Sequence, residues 1–524
     1  MQRVAGSVLA RTKAGASGRD PPGMAAEVSA PALAARRFAT IAVMVATAMQ
    51  AADTTIVNVA LPRLQHDLGG GLSLGAWVMT SYLCATAIVA PLTGWLRRRF
   101  GTRRLFVVSI AVFVAASLLC SVAPSAAAII LFRILQGFGG GVIHPLGQAM
   151  LLDVYPQHRH GRILAILGAV VMLGPVSGPA LGGIITDLAS WRWVFAINLP
   201  LGALAIWGIR RVAFADLKAA PDQPIDFIGI LLLITGVGIL QLWLERTVSV
   251  AWLQSPELFT EAAIVVIAFV LMAVRARRLG STILRFEVLK DLNFALAASY
   301  NFLMSAVLFT TIVFLPAIAE GPLGYGATMA GLTIVPRGAL MIAAMLLVGQ
   351  MSGRIDYRIL LATGWLLMAA GLLLLSAIPP VDGAIWIIAG STLQAIGGGM
   401  LFTPLITLGL STLAPELRTD ATGLYSLLRQ VGSASGLALM TGLLQVRIQA
   451  HLPELPAGTG GQAAALPQHL IEDATLQAYA ECFRVMVLAS VAAMPGVVLF
   501  RIRPAAVAVE QAAAQSPSPL LRAD

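Results

Sequence analysis

The chain has 524 residues, 58% of them hydrophobic and only 11% charged, which places it in the membrane class before any motif is read. Its net charge of +10 does not mark a nucleic-acid partner, because the basic residues sit in short loops between apolar runs and set orientation there. Cys84, Cys120 and Cys482 follow no metal or redox spacing and are assigned to packing.

Residues 1–36 are rich in Ala, Gly, Pro and Arg and too polar to span, so they read as a disordered cytoplasmic tail. No long apolar stretch precedes Arg36-Arg37, which argues against a cleaved signal peptide. Fourteen apolar stretches follow: 40–61, 77–96, 105–122, 127–152, 164–185, 193–209, 227–244, 259–274, 294–318, 330–350, 359–378, 383–409, 421–442 and 483–500. Each is near the ~20 residues that a bilayer crossing needs.

Asp53 lies in AADTTIVNVALP, about 13 residues into the first stretch, which puts it roughly 20 Å deep at 1.5 Å per residue. A charge at that depth costs about 2.5–3.5 kcal/mol on insertion scales, so an intramembrane carboxylate is a functional candidate by default. An Asp capping a helix break is the plainer alternative. Asn58, five positions on, shares the polar face only loosely.

The fourth stretch, LFRILQGFGGGVIHPLGQAMLL at 131–152, organises the chain. Its Leu135-Gln136-x-x-Gly139-Gly140-Gly141, followed by Pro145-Leu146, returns as Leu393-Gln394-x-x-Gly397-Gly398-Gly399, followed by Pro404-Leu405. Such a repeat predicts two homologous helical bundles. The glycines read as close-packing positions. A phosphate-binding loop is excluded by the absence of a following Lys-Ser or Lys-Thr, so ATP and other cofactors are not expected. Arg133 opens this stretch with Gln136 on the same face; whether Asp53 is its partner stays open.

The fifth stretch holds Gly174-Pro175-x-x-Gly178-Pro179-x-x-Gly182-Gly183, which kinks a helix and permits close packing, either as simple bending or as a pivot. His158 and His160 read as a solvated loop rather than a metal site, and no metal is expected. Glu320, Arg337 and Arg429 are the charged residues out of place in the second half, with Glu320 close to a loop. Gln136, Asn58, Glu320, Arg337 and Arg429 are the candidates for lining a substrate cavity.

The repeated helices stand fourth and twelfth, eight apart, so two extra helices lie between two six-helix bundles. The expected division is a tail at 1–36, a bundle at 37–213, a linker with two inserted helices at 214–290, a bundle at 291–503 and a disordered tail at 504–524. Loops assigned to the inside carry Arg97, Arg98, Arg99, Arg103 and Arg104 and further arginines, whereas the outward loops hold only Arg63, Arg192, Arg246 and Arg447. That asymmetry puts both termini inside.

With these motifs on the page the chain resembles the EmrB/QacA-type fourteen-helix drug:proton antiporters of the major facilitator superfamily, over nearly all of residues 40–503. DTTIVNVALP, RILQGFGGG, GPVSGPALGG and WRWVFAINLPLG carry the resemblance. It implies proton coupling at Asp53 and Arg133, and the antiporter motif at Gly174 to Gly183. One departure stands out. The superfamily's loop reads Gly-x-Leu-x-Asp-Arg-x-Gly, whereas Gly94-Trp95-Leu96-Arg97-Arg98-Arg99-Phe100-Gly101 puts Arg98 where Asp is expected. The expectation is an all-α inner-membrane exporter of amphipathic or hydrophobic compounds, exchanging substrate for protons, with a periplasmic adaptor protein as a partner. A dedicated exporter of one metabolite, such as a self-made antibiotic or siderophore, is the nearest rival. A non-transporting sensor or scaffold is the rival from another class.

Overall fold

The computed structural model describes residues 30–69, 71–156, 159–211, 226–249, 256–279, 285–351, 354–452 and 467–501. His158, the proximal part of the linker, the middle of the 443–482 loop and residues 504–524 lie outside or partly outside them. Among the described residues the architecture is helical, with no β-strand.

The first bundle runs α1 (Ala30–Leu68), α2 (Gly71–Val89), α3 (Thr93–Phe100), α4 (Thr102–Ser121), α5 (Ala126–Val154), α6 (His160–Leu188), α7 (Trp191–Ala196) and α8 (Asn198–Arg210). Two helices follow, α9 (Phe227–Ser249) and α10 (Pro256–Leu279). The second bundle comprises α11 (Leu292–Glu320), α12 (Ala327–Met351), α13 (Tyr357–Leu375), α14 (Gly383–Ser411), α15 (Arg418–His451) and α16 (Gln468–Ala493). Among the described residues, thirteen helical segments are long and apolar enough to cross a membrane. The 29-residue α6 accounts for the fifth apolar stretch, in keeping with fourteen crossings.

Several boundaries differ from the apolar stretches for identifiable reasons. α1 begins inside the stretch read as a tail, because Ala30–Ala35 is made largely of strong helix formers. The second stretch is divided at Pro91, whose ring removes a helical N–H, leaving a short turn before α3. The sixth divides at Ile197, where Pro200 cannot donate back to Ala196. That break sets Asn198 at the head of α8, which matters below.

Glycine spacing explains how the two repeated helices seat themselves. A Cβ on Gly139 would stand 2.6 Å from Phe113 N of α4, and one on Gly141 would stand 2.7 Å from Thr86 O of α2. In the second bundle a Cβ on Gly397 would stand 2.6 Å from Met368 N of α13, and one on Gly399 would stand 2.7 Å from Met341 O of α12. The same two glycines of each repeat therefore bring α5 against α4 and α2, and α14 against α13 and α12. The sequence repeat is a structural repeat, built by backbone-to-backbone contact that no larger residue permits.

α9 and α10 pack on each other, and α9 lies against both α2 and α15. Asp226, at the head of α9, pairs with Arg275 of α10 at 2.8 Å. Burial pushes the Asp226 carboxyl upward, but hydrogen bonds from Arg275 and the Gly229 N–H outweigh it and hold the group below the ordinary carboxylate value. The four arginines assigned to outward loops each meet a carboxylate: Arg63 with Asp187, Arg192 with Asp67, Arg246 with Glu257 and Glu261, and Arg447 with Glu481.

Candidate functional site

Asp53 lies within the long span of α1 and is 1% exposed. Two helices, α5 and α8, supply its partners. Arg133 Nη1 donates to Asp53 Oδ2 at 2.7 Å and to Gln136 Oε1 at 2.6 Å. Gln136 Nε2 donates to Asp53 Oδ1 at 2.8 Å, and Asn198 Nδ2 donates to the same oxygen at 2.9 Å. Both amides also reach Ser117 Oγ, at 2.6 and 3.0 Å. Arg133 Nε donates to the Val78 carbonyl at 3.2 Å, and the guanidinium lies 4.2 Å from the Tyr82 ring centroid. Tyr82 and Phe195 are fully buried beside it.

The local sequence explains this convergence. Arg133 and Gln136 are one helical turn apart on α5, so one face carries both. Asn198 is delivered by the break before α8. An ion pair stripped of water on all sides is costly unless its remaining hydrogen-bonding capacity is used. Gln136, Asn198 and the Val78 carbonyl use most of it, while Arg133 Nη2 has no hydrogen-bond partner among the described residues. In this conformation the Asp53 carboxylate is held by its arginine and closed to water.

The glycine-proline motif flanks this cluster. α6 lies along α1, with Thr55 Oγ1 donating to the Gly174 carbonyl at 2.9 Å. A Cβ on Gly174 would stand 2.5 Å from the Ala51 carbonyl, and one on Gly182 would stand 2.6 Å from the Ile56 carbonyl. Gly178 faces the Thr55 side chain, while Gly183 has only Val59 at 3.9 Å. Pro175 and Pro179 lie inside α6.

A second cluster joins the bundles at the end that carries α3. Arg98 Nη1 donates to Asp420 Oδ2, in the first turn of α15. Arg97 donates to Thr419 and, at 2.5 Å, to Asp153. Thr422 Oγ1 donates to the Pro145 carbonyl at 3.1 Å. A Cβ on Gly94 would collide with the Asp420 carboxylate, at 2.0 Å from Oδ1. Gly101, with φ 79°, caps α3 and turns the chain into α4. At the same end Gly349 of α12 packs on Ala165 of α6.

The other candidates do not join the Asp53 cluster. Asn58 is exposed, about 140° around α1 from Asp53. Glu320 is the exposed last residue of α11. Arg337 is 4% exposed and donates to the Leu308 carbonyl at 3.2 Å. Arg429 is half-buried on α15. In the second bundle Gln394 donates to Thr311 at 2.7 Å, and Ser391 stands three residues before it, as Arg133 stands before Gln136. The repeat thus keeps the glutamine but carries no charge pair. Asn198, Ser117 and Asp420 escaped sequence reasoning; a lone Asn in the apolar run VFAINLPLG was the available signal for the first.

Residues 43–437 match the Major Facilitator Superfamily. The chain belongs to that superfamily, in its EmrB-type branch. It is 33% identical to the multidrug export protein EmrB of Haemophilus influenzae over 79% of this chain and 82% of that one. It is 32% identical to the fatty acid resistance protein FarB of Neisseria gonorrhoeae, over 84% of this chain and 88% of the relative. The human organic anion transporter TETRAN shares the fold at a TM-score of 0.58, with 13% identity over 87% of this chain and 99% of that one. As a major facilitator the chain is a multi-span membrane transporter, with no enzyme among the relatives named.

Proposed function

We propose that this chain is a proton-coupled exporter of amphipathic or hydrophobic compounds, working by alternating access across the bacterial inner membrane with both termini cytoplasmic. The observation that carries the reading is the sealed Asp53–Arg133 pair with Gln136 and Asn198 around it. The names of the relatives as multidrug export proteins support the substrate class. Under the positive-inside rule the α3 end faces the cytoplasm, so the contacts Arg98–Asp420 and Thr422–Pro145 close the inward gate. Asn58, Gln136, Glu320, Arg337 and Arg429 remain the proposed cavity residues, and Gly174 to Gly183 the pivot.

In this scheme the first bundle, 37–213, moves against the second, 291–503, with the inserted helices of 214–290 riding at their seam. Opening admits water to Asp53, which takes up a proton as Arg133 shifts to other partners. Reversal of the gate restores the pair and releases the proton inward. A periplasmic adaptor protein completes the path outward. Dye efflux from energised membrane vesicles, with and without a protonophore, tests the reading. Efflux that persists undiminished with the gradient collapsed would overturn it.

A further inference from the structure

Just beyond the Thr422–Pro145 contact, α15 presents three residues on one face: Thr422, Tyr425 and Arg429, at helical spacings of three and four. That face meets α5 at Pro145, the residue after His144. Tyr425 and Arg429 stand one turn apart on that face, and His144 directly precedes the Pro145 that Thr422 contacts, which brings the three residues to one region between the bundles. Tyr425 is 4% exposed and its hydroxyl has no hydrogen-bond partner among the described residues. His144 Nδ1 is likewise buried without a partner there. Among the described residues, no carboxylate forms an ion pair with Arg429. Asp53, the carboxylate buried in the first bundle, is already occupied by Arg133.

A guanidinium inside a membrane protein is expensive to hold without an anion, and a buried hydroxyl and ring nitrogen left unpaired add to that cost. The geometry points to a carboxylate-binding site formed by Arg429, Tyr425 and His144 between α5 and α15, taking the head group of an amphipathic acid. The planar guanidinium offers a two-pronged match to a carboxylate, the phenol donates a further hydrogen bond, and the imidazole supplies another polar contact. Its place fits export as well. The site touches both bundles directly above the gate contact, so an occupant held by α5 and α15 together bears on whether that end opens. This inference rests on the exporter reading and adds the class of cargo and the residues that select it.

The test is equilibrium binding to the full chain in phosphatidylcholine nanodiscs, with no proton gradient, comparing dodecanoate with dodecanol. The expected result is a preference for dodecanoate of about tenfold or more. Arg429→Gln abolishes that preference, Arg429→Lys retains part of it, and Tyr425→Phe, which removes one oxygen and keeps the ring, reduces it severalfold. Thermal stability of each variant separates lost binding from lost folding, and Tyr425→Phe stands as the arm that preserves packing. Equal binding of acid and alcohol by the native chain, or an unchanged preference in both Arg429→Gln and Tyr425→Phe, would overturn the proposal. Displacement by phosphatidylglycerol with no preference for dodecanoate would assign the groups to a lipid head group and overturn it too. Gradient-driven dye efflux by the native chain would leave the exporter reading standing in any of these cases.

Discussion

Arg98 on α3 donates to Asp420 in the first turn of α15, an ion pair that crosses from one bundle to the other. The superfamily pattern puts an aspartate at the first of these positions, whereas this chain has an arginine there facing a carboxylate. The Asp420 side chain is 2% exposed and that of Arg98 is 18% exposed. Gly94 leaves no space for a side chain against the carboxylate. The arginine that stands where the sequence pattern expects aspartate has its counterpart on the facing helix.

Arg98→Asp alone sets two carboxylates against each other and is expected to open the inward gate. Removing one partner of a buried pair costs about 3–5 kcal/mol, and the partial exposure of Arg98 lowers that to a fraction. Arg98→Asp with Asp420→Arg should recover part of the loss, short of the whole because Arg97 and Arg285 also act on the Asp420 position. Spin-label distances between Phe100→Cys and Glu416→Cys report the gate. A double variant no better than Arg98→Asp would remove the pair from the mechanism.

Asp53→Asn keeps shape and hydrogen bonding while removing titration, and it leaves Arg133 buried without its counter-charge. Efflux driven by a pH gradient is expected to vanish, with membrane insertion intact, and Asp53→Glu to retain part of it. Normal pumping by Asp53→Asn that still collapses with a protonophore would place the coupling carboxylate elsewhere, with Glu320 next in line.

The antiporter-motif glycines should not behave alike. Gly174→Ala and Gly182→Ala each drive a methyl into α1 backbone at about the 2.5–2.6 Å measured for an added Cβ, at a cost of roughly 1–3 kcal/mol. Gly183→Ala meets nothing closer than 3.9 Å and should be tolerated. Melting temperature and transport rate, measured together, decide the contrast; equal effects at all three positions would remove close packing as the reason for the motif.

Topology is open to direct measurement. Reporter fusions at Ala384 and Gly460 are expected to score outside and one at Arg354 inside, with Gly460 outside the described residues. A cytoplasmic score at Gly460 would overturn the fourteen-crossing arrangement with both ends inside.

Much of the fold was legible because each helix records its own environment. Apolar length marks the crossings, and the Leu-Gln-x-x-Gly-Gly-Gly repeat marks which helices are equivalent. Arg133 and Gln136 could be put on one face from spacing alone, and the depth of Asp53 made it a candidate from its position in α1. Those are properties of a single helix, fixed by 1.5 Å and 100° per residue.

Relations between helices were decided only by the tertiary structure. Nothing local says that Asp53 meets Arg133 across 80 residues of chain, or that Asn198 is turned toward them by the break at Ile197. Arg98 looked unmatched because Asp420 lies 322 residues away. Asn58 and Glu320 are cavity candidates because polarity in an apolar run is visible in sequence, whereas the direction in which a helix turns its polar side is not. Periodicity fixes which residues of a helix share a face; only packing decides what that face meets.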